Sequence, residues 1–449
     1  MTSAPVPAPE KEGNLLILAA LSLVVGAAAG LVGAMFRLTL QQADRLRDLL
    51  IDWAHGHAVI GFLVLIAACG VATSIAAWLV RRFSPPASGS GIPHVEAVLH
   101  GQLETAPYRL APVKYVGGVL AIGSGLALGR EGPSVQMGAS IAVFIGHMFR
   151  RCWPDCRVLL AAGAGAGLAT AFNAPIAGAV FVLEELVQRF EHRIAIAALG
   201  ASATAIMVAR PFLGVTPDFD VPAVNYASFE VQPLFYLFGA IAGFLGIAYN
   251  WAIVKTLIAN RSLTALPVEL RAGVIGAAVG ALAWFAPGLV GGGDNITEQT
   301  IAGGLSLTAI AFAFVIRFCL GPISYSADTP GGLFAPILVL GTQIGVLFAA
   351  ACRFLFPTLN IEPTGFAIVG MGAFFTGVVR APLTGIVLVT EMTSNVTMLL
   401  PMLGACFTAM LIPQLLNAPP IYDSLRELTL QRERELQQSC QTTNQPPKS

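Results

Sequence analysis

Several stretches of this sequence stay apolar for about as many residues as a helix needs to cross a lipid bilayer. Long runs cover residues 15–36, 59–80, 234–254 and 398–416. A spanning helix needs roughly 20 residues because the hydrocarbon core is about 30 Å thick. Only 11% of the 449 residues are charged, against roughly 25% in a soluble domain whose surface faces water. We therefore predict an all-α protein that crosses the membrane several times.

The polar segments lie mainly at the two ends of the chain. We expect a disordered segment over residues 1–13, one membrane domain over 14–422 and a short cytoplasmic tail over 423–449. No small-residue cleavage site follows the first apolar run, so we expect a retained helix rather than a signal peptide. The net charge is zero, which leaves no basic field for nucleic acid. The expected surroundings are a lipid bilayer, with no nucleic-acid partner.

Arginines near the ends of the apolar runs indicate orientation, because cytoplasmic loops carry an excess of lysine and arginine. Arg81 and Arg82 follow the second run and favour a cytoplasmic end there. Three arginines after the first run favour the opposite, although two aspartates accompany them: Arg37, Arg45, Arg47, Asp44 and Asp48. We expect both termini on the cytoplasmic side.

Glycine and proline interrupt the apolar stretches repeatedly, and the chain contains 47 glycines and 29 prolines. Unwound backbone at membrane depth is tolerated only where protein or a water-filled cavity satisfies its polar groups. Interrupted helices are typical of transporters, where they form the site for the transported ion. The pattern therefore favours a transport protein over a simple helical bundle.

An internal repeat divides the chain into two related halves. The segment APIAGAVFVLE at 174–184 matches APLTGIVLVTE at 381–391, an offset of 207 residues. The pattern G-x3-P-x4-G at 129–138 recurs at 332–341, an offset of 203. Two matches in the same order indicate homologous halves, as in many transporters. We place them at roughly 14–215 and 230–422.

Three short segments share one design, with glycine ahead of a proline that leads into an apolar stretch. They are GSGIP at 89–93, GREGP at 129–133 and GLFAP at 332–336. Proline suits the first turn of a helix, and helix starts present unpaired N–H groups with partial positive charge. Each segment alone reads as an ordinary turn. Three together favour a site where helix starts hold an anion loosely enough to release it.

These segments closely resemble the signature motifs of the CLC family of chloride channels and chloride–proton antiporters. The resemblance extends over roughly 86–422, with the motifs in the family order. It implies a homodimer with one pore per subunit, each pore built from two inverted halves of tilted, broken helices. The short tail resembles the prokaryotic members, which implies a location in the prokaryotic plasma (inner) membrane.

The resemblance implies an anion site at Gly89, Ser90, Gly91, Ile92, Arg130, Glu131, Gly132, Leu333, Phe334, Ala335 and Tyr422. The hydroxyls of Ser90 and Tyr422 would coordinate the central anion, and backbone N–H groups near Leu333 and Phe334 would complete the site. Within the family, serine in the first motif accompanies chloride and proline accompanies nitrate. The alternatives are a plain helix N-cap for Ser90 and an interfacial aromatic for Tyr422.

Glu131 is flanked by glycine at an expected helix start, where its carboxylate would compete with an anion for the same partial charges. Deprotonated, it would occupy the anion's place, and protonated it would move away. We therefore predict a gate and proton carrier, which the resemblance also implies. The alternatives are a salt bridge to Arg130 or a helix N-terminal acid, with Glu96 as another partner for Arg130.

Two acidic residues, Glu184 and Glu185, lie in an apolar run, where one acid costs roughly 2.5–3.5 kcal/mol to insert. The resemblance assigns Glu185 to the internal proton entrance, and the alternative is a hydrogen-bonded acid at a helix end. Glu184 is the repeat mate of Glu391, so we interpret both as structural. No cofactor is expected.

Glu131 and Glu185 together favour chloride–proton exchange over a passive chloride channel of the same fold, because a channel does not need the inner acid. An enzyme is not favoured, because the six histidines are scattered. Metal-ligand spacing is also lacking, apart from the isolated pair Cys152 and Cys156. One departure from the family is Asp328, a negative charge near the anion route whose effect stays open.

Overall fold

The computed structural model describes residues 13–221, 224 and 226–443. The described residues form seventeen α-helices, which confirms the all-α prediction. The helices are α1 Leu15–His55, α2 Ala58–Phe83, α3 Ile92–Leu99, α4 Leu110–Gly123, α5 Glu131–Met148, α6 Trp153–Phe172, α7 Pro175–Phe181, α8 His192–Leu213, α9 Gln232–Ser262, α10 Val268–Phe285, α11 Asp294–Ile301, α12 Leu307–Tyr325, α13 Phe334–Leu355, α14 Pro363–Val379, α15 Pro382–Thr393, α16 Leu399–Leu415 and α17 Ile421–Thr443. The predicted disordered segment lies outside the described residues except for Gly13.

The helices are uneven in length, as the interrupted apolar stretches indicated. Eight of those described are long and apolar enough to cross a membrane: α1, α2, α6, α8, α9, α10, α12 and α13. Four shorter apolar helices accompany them, and α3 and α11 have only eight residues each. The first predicted run, 15–36, continues to His55 as a single helix, and the charged residues of its second half line a cavity.

The repeat is visible as a local two-fold axis in the structure. Gly129 and Gly332, which the repeat makes equivalent, pair antiparallel through N–H···O=C bonds of 2.9 and 2.7 Å. Each half also contains a matching helix pair, α5 with α6 and α13 with α14, in close contact at glycines. Small residues let helix backbones approach closely in membranes. Antiparallel pairing of equivalent residues means that the two halves are inverted relative to each other.

The two described chain ends lie at the same end of the molecule. Helices α1 and α2 are joined by two residues, and Gly61 packs against Ala54, so α2 runs back toward the start of α1. The end of α2 and the second half of α17 line one cavity, through Arg81 and Arg432. The start of α1 and the C-terminal helix therefore share one face.

The expected boundary at residue 422 falls inside α17, which begins at Ile421. Leu425 is buried, and Arg426 pairs with Glu96 of α3. The first turn of the predicted tail therefore packs against the membrane domain.

Candidate anion and proton site

The three glycine–proline segments, far apart in sequence, meet inside the protein. Gly89 donates its N–H to the Thr329 carbonyl at 3.1 Å, and its own carbonyl accepts from Gly331 N–H at 3.1 Å. The second link is the reciprocal pair between Gly129 and Gly332. These bonds satisfy part of the non-helical backbone without water, as membrane depth requires. The segments thus form one hydrogen-bonded centre.

Four helices begin at this centre. Helices α3, α5 and α13 start within the three segments, at Ile92, Glu131 and Phe334, and α17 starts at Ile421, directly after Pro420. The first N–H groups of each helix have no partner within the helix, and each start carries about half a positive charge. Their convergence makes an electropositive region from backbone alone.

Ser90 and Tyr422 bring two hydroxyl groups to the centre. Both residues are completely buried, and among the described residues neither hydroxyl has a hydrogen-bond partner. The Tyr422 hydroxyl lies beside Ser90 and within electrostatic range of Glu131. Its ring stacks on Phe334 with 6.2 Å between ring centroids. Buried polar groups are nearly always hydrogen-bonded, so two free hydroxyls here point to a polar ligand between them.

The alternative interpretations of these two residues do not fit the structure. Gly91, not Ser90, is the N-cap of α3, and it adopts a φ of +85° that favours glycine. Ser90 makes no capping bond. Tyr422 is buried in the protein, rather than exposed at a membrane–water interface.

The glycines next to Ser90 and Glu131 leave room that a side chain would fill. A Cβ atom on Gly132 would lie 2.5 Å from the Ser90 Oγ, and one on Gly332 would lie 2.8 Å from a carboxylate oxygen of Glu131. Side-chain-free backbone at both positions leaves space beside the Ser90 hydroxyl and the Glu131 carboxyl group.

Glu131, the first residue of α5, is 1% exposed and lies at the edge of the centre. Its carboxyl group interacts with the backbone N–H groups of Glu131 and Ala335, and its Oε2 atom has no hydrogen-bond partner among the described residues. The carboxylate therefore uses helix-start N–H groups of both halves, the same groups that would hold an anion.

The Arg130 guanidinium points away from the centre and takes part in an ion-pair network. It donates to Asp294 at 2.9 Å, to Asp218 at 3.1 Å and to the Ala171 carbonyl at 2.9 Å. The alternative salt bridge from Glu131 to Arg130 is therefore not formed. A Glu96–Arg130 pair is also wrong, because Glu96 pairs with Arg426 instead. That prediction relied on the position of Glu96 three residues after Pro93. This position does not indicate that α17 supplies the partner, Arg426.

Glu184 and Glu185 have different surroundings although they are adjacent. Glu184 accepts N–H groups of Leu383 and Thr384 at 3.0 and 2.6 Å, at the start of α15. Glu185 is 6% exposed and lies within electrostatic range of Glu96 and Arg426. Glu184 thus caps the start of another helix, whereas Glu185, at the end of the π-helical turn Val182–Leu186, adjoins an ionisable cluster near α17.

Two cavities approach the centre from opposite ends of α2. A wide cavity of about 720 Å³ lies between the second half of α1 and α11, and reaches Gly129, Glu131 and Ala335. A narrow cavity of about 280 Å³ lies between the ends of α2 and α9 and residues 425–433 of α17, and reaches Gly89 and Gly91. The buried side chains of Ser90, Glu131 and Tyr422 thus occupy the region between two openings.

Two residues at the centre were missed from the sequence. Lys114 of α4 is fully buried and donates to the carbonyls of Ala87 and Gly89 at 3.0 and 2.7 Å. The Tyr325 hydroxyl accepts from the Ser90 N–H at 3.3 Å. Lys114 could have been found as the single charged residue in the apolar stretch 110–123. Tyr325, at the end of an apolar helix, carries no such signal.

Comparisons with known proteins agree with this geometry. Over 434 residues the chain is 38% identical to the H(+)/Cl(-) exchange transporter ClcA of Vibrio parahaemolyticus, covering 95% of this chain and 92% of that protein. It is 35% identical to ClcA of Salmonella typhi over 445 residues, 97% of this chain and 93% of that protein. The crystal structure of a slow cyanobacterial Cl-/H+ antiporter, 32% identical, superposes with a TM-score of 0.90 and covers 94% of this chain and 100% of that one. Residues 72–414 match the family described as "Voltage gated chloride channel", and the chain therefore belongs to this family, the CLC proteins.

Proposed function

We propose that this chain is a secondary active transporter that exchanges chloride for protons across the membrane. The observation that carries the proposal is the position of Glu131. It is a buried carboxyl group that lies between two cavities and uses the N–H groups of converging helix starts. An anion and this carboxylate compete for the same place, which couples anion movement to the charge of the carboxyl group. Relatives at 35–38% identity bear the name of H(+)/Cl(-) exchange transporters.

The central anion is held directly by partial charges and hydroxyls, because the buried Lys114 donates to the carbonyls of Ala87 and Gly89 instead. Ser90 and Tyr422 donate their free hydroxyls to chloride, and backbone N–H groups around Leu333, Phe334 and Ala335 complete its shell. Such ligands replace water around the ion and still let it leave, because no full charge traps it. Arg130 contributes through its backbone, since its guanidinium is held by Asp218 and Asp294.

Protons reach the centre from the two sides through different acids. Glu131 exchanges protons with the wide cavity, which it lines. Glu185 takes protons on the side of α17, where Glu96, Asp423 and Arg426 surround it. A passive channel of the same fold has no use for a buried acid on that side, so Glu185 favours exchange.

The narrow cavity faces the cytoplasm and the wide cavity faces the opposite side in this proposal. The end of the molecule that holds the start of α1 carries Arg81, Arg82, Arg151 and Arg193, in agreement with the excess of basic residues on cytoplasmic sides. Both termini are then cytoplasmic in a prokaryotic inner membrane. One chain contains the whole centre, so each subunit of the proposed homodimer has its own pore.

The experiment is chloride flux from proteoliposomes with simultaneous recording of pH. A chloride gradient should drive protons uphill in the unmodified protein, and Glu131→Gln should abolish proton movement while chloride flux continues. Glu298→Gln is the matched control, because Glu298 lines the same wide cavity but lies on α11, outside the centre. Chloride flux without proton movement in the unmodified protein would instead establish the passive channel.

A further inference from the structure

Asp328, the departure from the family pattern, forms an ion pair beside the narrow cavity. Its carboxylate accepts from the Arg261 guanidinium at 2.7 Å and from the Ser88 hydroxyl at 3.3 Å. Asp328 adopts a φ of +55°, a left-handed conformation that aspartate and asparagine tolerate better than most residues. Both members of the pair line the narrow cavity.

The pair adjoins the backbone that carries Ser90. Ser88, which donates to Asp328, lies two residues before Ser90, and Tyr325, whose hydroxyl accepts from the Ser90 N–H, lies three residues before Asp328. Asn260, next to Arg261, donates to the Ser326 carbonyl at 2.6 Å. The end of α9 therefore holds residues 325–328 against the opening of the narrow cavity.

The charges around the narrow cavity are nearly balanced. Three arginines and two carboxylates line it, together with one histidine: Arg81, Arg261, Arg432, Asp328, Glu433 and His94. Among these arginines, Arg261 pairs with Asp328. Its buried Nε has no hydrogen-bond partner among the described residues. Removing Asp328 leaves an uncompensated positive charge next to Gly89, and removing Arg261 leaves an uncompensated negative charge there.

We infer that the Arg261–Asp328 pair sets how readily chloride passes between the narrow cavity and the central site. Asp328 reduces the attraction that Arg261 exerts on anions, and Arg261 cancels the repulsion that Asp328 would exert alone. These are positioning and tuning residues, not direct ligands of the central ion. The inference rests on the proposed anion route past Ser90, and it concerns the rate of transport rather than its coupling to protons.

Three variants test the inference in proteoliposome flux at chloride concentrations below saturation. Asp328→Asn keeps a residue that tolerates the left-handed conformation and leaves Arg261 unopposed, so chloride flux should rise about threefold or more, because a local cation concentrates anions. Arg261→Gln leaves the carboxylate unopposed and should lower flux by a similar factor. The double variant restores neutrality and should return toward the unmodified rate.

The readouts separate an electrostatic role from a merely structural one. The differences in chloride flux between the variants should shrink when an impermeant salt raises the ionic strength. The Debye length falls from about 10 Å at 0.1 M to about 3 Å at 1 M, so the charges are screened more strongly. The proton-to-chloride ratio should stay unchanged, which distinguishes failure here from failure of the Glu131 test. Arg151→Gln is the control, because it removes an arginine at the same end but outside both cavities.

Loss of chloride flux in all three variants, with no rescue in the double variant, would overturn the inference. The pair would then have only a structural role. Equal flux in all three would overturn it as well. Size-exclusion profiles of each variant in detergent show whether the protein is folded, so that a misfolded single variant is not read as a slow one.

Discussion

The Glu184 and Glu391 carboxylates, equivalent by the repeat, each cap the start of a helix in the half that contains the other. Glu184 accepts the N–H groups of Leu383 and Thr384 in α15 at 3.0 and 2.6 Å. Glu391 accepts those of Ile176 and Ala177 in α7 at 3.1 and 2.8 Å. Each half thus satisfies helix-start donors that the other half leaves open.

Removal of either cap should destabilise the whole membrane domain. Glu184→Ala leaves two backbone N–H groups without an acceptor, of which that of Thr384 lies in the protein interior, and an unsatisfied buried donor costs about 1–3 kcal/mol. We expect a lower midpoint of thermal unfolding in detergent, measured by size-exclusion chromatography after heating. Glu391→Ala should lower the midpoint by a similar amount. An unchanged midpoint in both variants would show that water or other groups replace the carboxylates.

Tyr422→Phe should weaken chloride binding without disturbing packing, because the ring that stacks on Phe334 is retained. One hydrogen bond to a charged partner contributes about 1.5–3 kcal/mol, so we expect a loss of affinity of at least tenfold in isothermal titration calorimetry. Tyr249→Phe is the matched control, since Tyr249 is also fully buried with an unpartnered hydroxyl but lies against Phe318 and Phe374. Equal losses in both variants would contradict a specific role for Tyr422.

Glu185→Gln should stop proton transport while chloride still moves. The amide is close in shape to the carboxyl group but cannot take up and release a proton at neutral pH, so the relay on the side of α17 is broken. Parallel recordings of chloride and pH in proteoliposomes measure both fluxes. Continued uphill proton pumping in this variant would exclude Glu185 from the proton route.

Loss of one partner of the Glu96–Arg426 pair should destabilise the protein more than loss of both partners. Arg426→Gln leaves the fully buried Glu96 without its cation, and loss of one partner of a buried ion pair costs about 3–5 kcal/mol. Glu96→Gln should cost less, because it leaves the more exposed arginine, and the double variant should recover part of the loss. Limited proteolysis of α17 measures the effect, and equal sensitivity of all variants would contradict it.

Much of the architecture was predictable from local sequence patterns. Apolar runs within α1, α2 and α9 indicated helices long enough to span a membrane, whereas the run 398–416 corresponds to the shorter apolar helix α16. The repeat of 174–184 at 381–391 indicated that Glu184 and Glu391 have equivalent roles. Glycine next to proline predicted helix starts, because those residues have positional preferences that hold without tertiary information. The glycine-flanked carboxylate at an expected helix start predicted a role for Glu131, whereas the role of Ser90 was implied by the family resemblance.

Long-range partners were not predictable in the same way. Arg130 pairs with Asp218 and Asp294, 88 and 164 residues away, and Glu96 pairs with Arg426 across 330 residues. Charge pairing depends on which helices come together, and no periodicity in a single sequence encodes that. For the same reason the effect of Asp328 stayed open until Arg261 was found beside it.

The reciprocal bonds that tie Gly89 to 329–331 and Gly129 to Gly332 restrict how the protein can move. Pulling these segments apart would break four N–H···O=C bonds at once, and each group left unsatisfied away from water costs several kcal/mol. We therefore expect alternating access without a rocking of one half against the other. Rotation of individual side chains, Glu131 toward the wide cavity and Tyr422 on the opposite side, is the less costly way to open and close the path.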